Sequence, residues 1–319
     1  MSSTLFFTAG LILLILAGDF LVRGAVSIAN RFHVPPLIIG LTIISMGTSA
    51  PEFFVSLQAA LEGAPGLAVG NGVGSNIANA LVVLGLPALV APILFTSPGI
   101  RRSAIFMIAI SIGFAFVAVD GIISSLDGIF LVFLLIAYLL YSIIAASRAR
   151  QEKLDARFNG SEDMEMAEQI DGPIKSLAYL AFGFGGLAIG AKLVVEGALG
   201  LAEIWGIGET VVGTTIVALG TTLPEIAATL AASFRREAGV AIGNVIGSNI
   251  FNLLGILGIT ALIVPLPVTM FLLQFDLWVL LTSSALLVAL IFLRRPVGRL
   301  AGLALTSSYI AYLFFSFTG

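Results

Sequence analysis

"GLTIISMGTSAPE", Gly40 to Glu52, and "GTTIVALGTTLPE", Gly213 to Glu225, are two versions of one pattern, and each sets a proline and a glutamate inside an apolar run. A second matched pair follows: "GNGVGSNIAN" (Gly70 to Asn79) and "GNVIGSNIFN" (Gly243 to Asn252). All four segments share one register, since position 52 aligns with 225 and position 79 with 252, a step of 173. The register reaches back to Gly24 and Gly197 and forward to Pro92 and Pro265. A chain that repeats itself at a single offset over this length is a duplicated unit.

The surroundings of these motifs are apolar. Of 319 residues, 59% are hydrophobic and 10% charged, and runs of about 20 apolar residues recur along the chain, the length that crosses a bilayer as a helix. The 35 glycines fall inside those runs, which suits close helix packing. No two-residue period of the kind a lipid-facing barrel needs is present. The expected fold class is therefore an all-α polytopic membrane protein. Apolar segments predict ten helices, over 4–28, 34–61, 67–94, 101–119, 126–148, 174–200, 207–234, 240–264, 272–293 and 297–317. The start of the chain lacks the basic region of a cleavable signal, so the first segment reads as a retained helix.

The one long polar interval, "RARQEKLDARFNGSEDMEMAEQID" (Arg148 to Asp171), reads as a solvated linker. It divides the chain into a five-helix repeat over 1–148, a linker over 149–172 and a second repeat over 173–319. Five is odd, so the second copy is inverted relative to the first, as in secondary transporters. Arg31, Arg101, Arg102, Arg148, Arg150, Lys153, Arg157, Arg235, Arg236, Arg294, Arg295 and Arg299 follow odd-numbered helices. The positive-inside rule then makes those loops and the linker cytoplasmic and sets both termini outside, in a cell membrane.

Spacing within the motifs points to the chemistry. Thr48 and Glu52, Thr221 and Glu225, Ser75 and Asn79, and Ser248 and Asn252 are each four apart, so each pair shares a helical face. Pro51 and Pro224 lack the N–H that the carbonyls of Gly47 and Gly220 would otherwise accept. Carbonyls freed at membrane depth belong where they line a cavity. The result is a donor set of two carboxylates, hydroxyls, amide oxygens and backbone carbonyls. It suits a hard cation such as Ca²⁺ or Na⁺ better than Mg²⁺, which sheds its waters reluctantly. With no cysteine and one histidine, His33, neither a disulfide nor a zinc site of the usual ligands is expected. An uncompensated carboxylate at the bilayer centre costs about 3 kcal/mol on insertion scales, so Glu52 and Glu225 are expected to be neutralised by Ca²⁺, Na⁺ or protons.

The paired "GTSAPE" and "GSNIxN" motifs resemble the two α-repeats of the sodium/calcium exchangers, within the wider cation/calcium exchanger superfamily, in a compact prokaryotic form. The resemblance implies ten helices, with the second, third, seventh and eighth around the ions and the first and sixth sliding across them. It implies Ca²⁺ coordination by Glu52, Glu225, Thr48 and Thr221, and help from the Ser45 and Ala218 carbonyls in binding Na⁺. Asn79, Asn252, Ser75 and Ser248 complete the central and flanking Na⁺ positions, and Ser49 and Thr222 serve as secondary ligands. Some microbial relatives carry Asp where this chain has Asn252, which removes one carboxylate. Proton-coupled members usually show "GNxxE" in place of "GTSxPE", so Na⁺ is the expected counter-ion. The linker is too short for the regulatory calcium-binding domains that some members insert there.

Other polar residues receive plainer expectations. Asn71 and Asn244 are assigned to capping or kinking, and Asn76 and Asn249 lie off the shared face. Asp19 with Arg23, and Lys192 with Glu196, are intrahelical pairs at equivalent places with the sign order reversed. His33 belongs at the interface. The acidic run from Glu162 to Asp171 lacks EF-hand spacing. An intramembrane enzyme would need a His-rich metal motif or an Asp dyad, and neither is present; a passive pore does not call for inverted repeats with broken helices. The sequence thus predicts a Na⁺/Ca²⁺ antiporter, with a proton-coupled divalent cation exchanger as the alternative. Its cargo is Ca²⁺ and Na⁺, its surroundings are lipid, and no cofactor, nucleic acid or obligatory protein partner is expected.

Overall fold

A computed structural model describes residues 2–158, 172–204 and 218–318, and these are predominantly helical. Helix α1 (Ser2–Phe32) ends where His33 turns into the left-handed region at φ 55°. The next stretch is broken into α2 (Pro36–Ile39), a π-helical turn (Gly40–Ile44), α3 (Ser45–Thr48) and α4 (Ala50–Leu61). Its halves, Pro36–Thr48 and Ala50–Leu61, are bent by 43°. The bend falls at Ser49 (φ −83°, ψ 7°), two residues before Pro51, whose missing N–H leaves the Gly47 carbonyl without its helical donor. Helix α5 (Pro65–Ala78) runs through a π-helical turn (Asn79–Val83) into α6 (Leu84–Val90). Then come α7 (Ile100–Ala118), α8 (Ser125–Phe158) and α9 (Pro173–Ile204).

After the segment outside the described residues come α10 (Ala218–Phe234) and α11 (Ala238–Phe251), which passes through a π-helical turn (Asn252–Ile256) into α12 (Leu257–Ile263). A further π-helical turn (Leu272–Asp276) leads into α13 (Leu277–Phe292), and α14 (Arg299–Thr318) ends the described chain. Among the described residues, seven helices are long and apolar enough to cross a membrane, or eight if the bent pair is one span. The described spans therefore stop short of the ten expected, and part of the seventh, 207–234, lies outside the described residues. The linker expected from Arg148 begins later, because α8 stays helical to Phe158. The acidic run Glu162 to Asp171 lies outside the described residues.

Burial sorts the helices. The most apolar windows of Pro65–Val90 and Ala238–Ile263 are 78% buried, against 22–39% in the other five spans, so these two sit at the centre. Helix α11 meets the Pro36–Ile44 stretch where side chains are absent: a Cβ on Gly243 would meet the Leu37 carbonyl oxygen at 2.6 Å, and one on Gly40 would meet that of Val240 at 2.8 Å. Dispersion contacts from such close backbones take the place of the hydrophobic drive that lipid removes. Buried apolar residues form two groups. One surrounds the central helices, with Ile77, Val83, Met107, Ile246 and Leu257; the other fills the space between α1, α9 and α10, with Leu14, Leu21, Leu187 and Ala228.

Two short extended contacts tie the ends together. Strand β1 (Ile122–Ile123) pairs antiparallel with β2 (Leu266–Pro267), and Ile93 exchanges both backbone bonds with Val297 at 3.0 Å. Ile93 and Leu266 are themselves one repeat step apart.

Candidate cation site

Glu52 lies in the first turn of α4, just past the bend at Ser49, and Glu225 midway along α10, each 1% exposed. They face each other across the two copies of the motif. Ser49 Oγ donates to Glu225 Oε1 at 2.9 Å, and the Thr221 hydroxyl bonds to the Glu52 carboxylate. Thr48 Oγ1 is 3.1 Å from Asn244 Oδ1 and 3.3 Å from its own helix at the Ser45 carbonyl. Each motif thus supplies the hydroxyls that meet the other motif's carboxylate.

The backbones that carry the glutamates are braced alike. Asn71 Nδ2 donates to the Glu52 carbonyl at 3.1 Å and to Ser56 Oγ at 2.8 Å. One step of 173 later, Asn244 Nδ2 donates to the Glu225 carbonyl at 3.3 Å and to Thr229 Oγ1 at 3.1 Å. The expectation that Asn71 and Asn244 cap or kink their own helices is corrected: they clamp the neighbouring helix. The prolines differ between copies. Where Ser49 breaks the first, α10 is helical through Pro224; the Gly220 carbonyl still lacks the Pro224 N–H as an i+4 donor.

Of the predicted site residues, Ser45, Thr48, Ser49, Glu52, Ser75, Asn79, Thr221, Thr222, Glu225, Ser248 and Asn252 are all buried, at 9% exposure or less. Ala218 opens α10. Asn79 and Asn252 stand at the first positions of their π-helical turns, the kind of wide turn that recurs at functional sites. Buried side-chain oxygens without a hydrogen-bond partner cluster on these motifs: Glu52 Oε2, Glu225 Oε2, Asn79 Oδ1, Asn252 Oδ1 and Ser248 Oγ. Asn76 Oδ1 and Asn249 Oδ1 are buried and unpartnered too, although helical spacing set them off the shared face. Their amide nitrogens are used, Asn76 Nδ2 on the Asn249 carbonyl at 2.9 Å and Asn249 Nδ2 on Met107 Sδ at 3.4 Å. Leaving an acceptor buried and unpaired costs about 1–3 kcal/mol, a cost that a cation among several of these oxygens would relieve. Among the described residues no group of three or more His, Cys, Asp or Glu is placed to hold a metal ion. The donor set is instead two carboxylates among amides and hydroxyls, the oxygen chemistry of Na⁺ and Ca²⁺.

A cavity of 740 Å³ runs beside the site between α9 and the motif helices, from Gly47, Pro51 and Thr221 out to Lys192 and Glu196. Helix α9 lies over both motif glycines, with Phe184 against Gly47 and Val195 against Gly220. On the other side α1 closes down on α10: a Cβ on Gly18 would meet the Ala227 carbonyl oxygen at 2.7 Å.

With this geometry in place, comparison with known proteins gives consistent results. The profile of the family described as sodium/calcium exchanger protein matches residues 2–144 and 175–318. The inner membrane protein YrbG of Escherichia coli strain K12 is 37% identical, over 98% of this chain and 95% of its own length. The sodium/calcium exchanger MaX1 of Methanosarcina acetivorans is 32% identical, over 95% of both chains. Among solved structures, the sodium-calcium exchanger NCX_Mj soaked with 2.5 mM Na⁺ and 1 mM Sr²⁺ superposes with a TM-score of 0.83 at 33% identity, covering 98% of each chain.

Proposed function

The chain belongs to the sodium/calcium exchanger family, and from that premise we propose that it is a secondary antiporter that exchanges Na⁺ for Ca²⁺ by alternating access. Membership alone supports a cation/Ca²⁺ exchanger and a transporter rather than an enzyme. The single observation that carries the finer reading is the set of buried acceptor oxygens without donors, with Glu52 Oε2 and Glu225 Oε2 at its centre. Two carboxylates are neutralised by one Ca²⁺ or by Na⁺ ions in turn. A site that is unfavourable when empty releases one cargo as it takes the other, which is the condition for exchange over leak.

In this reading Glu52, Glu225, Thr48 and Thr221 hold Ca²⁺. Na⁺ uses Asn79, Asn252, Ser75, Ser248 and the carbonyls of Ser45 and Ala218, with Ser49 and Thr222 as secondary ligands, Ser49 also bonding to the Glu225 carboxylate. The helical stretches act as ten spans in two inverted five-helix units, 1–148 and 173–319, with 149–172 cytoplasmic and both termini outside. Helices α1 and α9 are the moving pair.

The test is ⁴⁵Ca²⁺ uptake into proteoliposomes loaded with Na⁺, against vesicles with equal Na⁺ on both sides and vesicles with an imposed pH gradient alone. Uptake that requires the outward Na⁺ gradient supports the reading. Uptake that follows the pH gradient replaces it with proton-coupled divalent cation exchange on the same scaffold.

A further inference from the structure

Three charges on one side of the molecule have counterparts of opposite sign one repeat step away. Asp19, Arg23 and Arg235 stand at positions whose partners at an offset of 173 are Lys192, Glu196 and Glu62. Every sign is reversed. The backbones that present Arg235 and Glu62 are copies of each other. Helix α10 ends with bonds from Arg235 N to the Ala231 carbonyl (3.1 Å), Arg236 N to Ser233 (3.1 Å) and Glu237 N to Ala232 (2.8 Å). Helix α4 ends with Glu62 N to Gln58 (2.9 Å), Gly63 N to Ala60 (3.3 Å) and Ala64 N to Ala59 (2.8 Å). Arg236 and Gly63 take the same left-handed turn, at φ 60° and 86°.

The two triads are in different states. On α1, Asp19 pairs with Arg23 at 2.9 Å and also with Arg235 at the end of α10, so α1 is tied to the helix that carries Glu225. On α9, Lys192 meets only Glu196 among the carboxylates of the described residues, at 3.7 Å, and its side chain is 76% exposed where that of Arg235 is 32%. Glu62 accepts instead from Gln58 Nε2 at 2.8 Å in its own helix. Lys192 and Glu196 line the cavity described above, whereas beside Asp19 a Cβ on Gly18 would meet the Ala227 carbonyl oxygen of α10 at 2.7 Å.

We propose that the two triads are a pair of opposed latches, with Asp19–Arg235 made in the conformation described here and Lys192–Glu62 made when the cavity on the α9 side closes. The inference rests on the exchange reading for its purpose, while its geometry rests on the offset and on the two matching helix ends. Inverting the signs has a use. With Asp on α1 and Lys on α9, the moving pair carries one charge of each sign, and neither latch partner attracts the other triad's mobile residue.

The chain has no cysteine, so cross-linking needs no prior removal. The double variants Asp19→Cys/Arg235→Cys and Glu62→Cys/Lys192→Cys are prepared in membrane vesicles and treated with a short thiol-bridging reagent, with Na⁺ or Ca²⁺ on either side. The expected result is that the two cross-links trade places: conditions that raise one yield lower the other, and each link blocks exchange until reduced. A Glu62→Cys/Lys192→Cys yield no higher than that of Glu62→Cys alone, in every ion condition, overturns the proposal. A charge exchange supplies an independent measurement. Lys192→Glu is expected to slow Ca²⁺ flux by about two- to fivefold, the scale of a half-exposed ion pair, and adding Glu62→Lys is expected to restore it. No restoration also overturns the proposal, because a role confined to the Lys192–Glu196 pair cannot be rescued from position 62. If the unaltered chain shows no Na⁺-dependent Ca²⁺ flux, the exchange reading fails, and the latches are still judged by whether the cross-links trade places.

Discussion

Ser49 Oγ, in the first copy of the motif, donates its hydrogen bond to Glu225 Oε1 in the second, at 2.9 Å. The bond fixes one oxygen of the carboxylate and leaves the other, Oε2, buried and turned to no protein donor. Ser49→Ala frees both oxygens, and a hydrogen bond to a charged group is worth about 1.5–3 kcal/mol. The expected outcome is at least a tenfold rise in the Ca²⁺ concentration for half-maximal exchange, with unchanged expression. Ser49→Thr, which keeps the hydroxyl, is expected to recover most of the loss; Ca²⁺ titration of proteoliposome uptake measures both.

The carboxylates themselves are a sharper test. Glu52→Gln or Glu225→Gln keeps shape and removes half of the charge that one Ca²⁺ balances. Each is expected to lower exchange by 100-fold or more, about 2.7 kcal/mol at 1.36 kcal/mol per tenfold, while the protein elutes as a folded peak from a detergent column. Normal Ca²⁺ flux in either variant would falsify the site assignment.

Asn71 and Asn244 clamp the peptide groups of Glu52 and Glu225 from the neighbouring helix. Asn71→Ala or Asn244→Ala leaves a buried carbonyl and a buried hydroxyl without their donor, and each is expected to destabilise the protein by about 1–3 kcal/mol. Thermal unfolding in detergent reads this as a lowered Tm. Asn71→Asp, which supplies acceptors where a donor is required, is expected to be worse than alanine.

Glycines separate by what surrounds them. Gly247→Ala would put a methyl group 2.6 Å from the Leu41 carbonyl oxygen and 2.5 Å from Ser45 Oγ, forcing α11 off the helix that bears the first motif. A loss of about 1–3 kcal/mol is expected from such overpacking, along with impaired exchange. Gly113→Ala meets nothing within 4 Å and is expected to be neutral or to stabilise α7 by about 0.5–1 kcal/mol. The same thermal measurement decides both.

Much of this site was legible in the primary structure because a duplication states the important residues twice. Glu52 is odd once in an apolar run; Glu52 and Glu225, each with its own Thr and Pro, are a pattern, and the structure brings both into one buried place. What did not show was anything that depends on neighbours across helices. The partners of Asn71 and Asn244 lie 15 and 19 positions away, outside any helical period. The link from Asp19 to Arg235 needs α1 placed against α10, and its intrahelical bond to Arg23 hid that possibility. The break at Ser49 and the continuous helix at Pro224 arise from one motif, so tertiary packing, rather than the proline, decides how the freed carbonyl is accommodated. The π-helical turns at Asn79 and Asn252 likewise have no marker in composition.

Helices α1 and α9 share one long seam. Backbone touches backbone along it: a Cβ on Gly183 would meet Leu21 Cα at 2.7 Å, one on Gly10 would meet Val194 N at 2.7 Å, and Ser27 and Ser176 share a 2.7 Å hydrogen bond at one end. Two helices joined so closely are a single lever. In the proposed exchange cycle the door at one end and the door at the other hang on the same beam, so opening one drives the other shut. An ion short circuit through a doubly open protein is then prevented by rigidity, before any ion has bound.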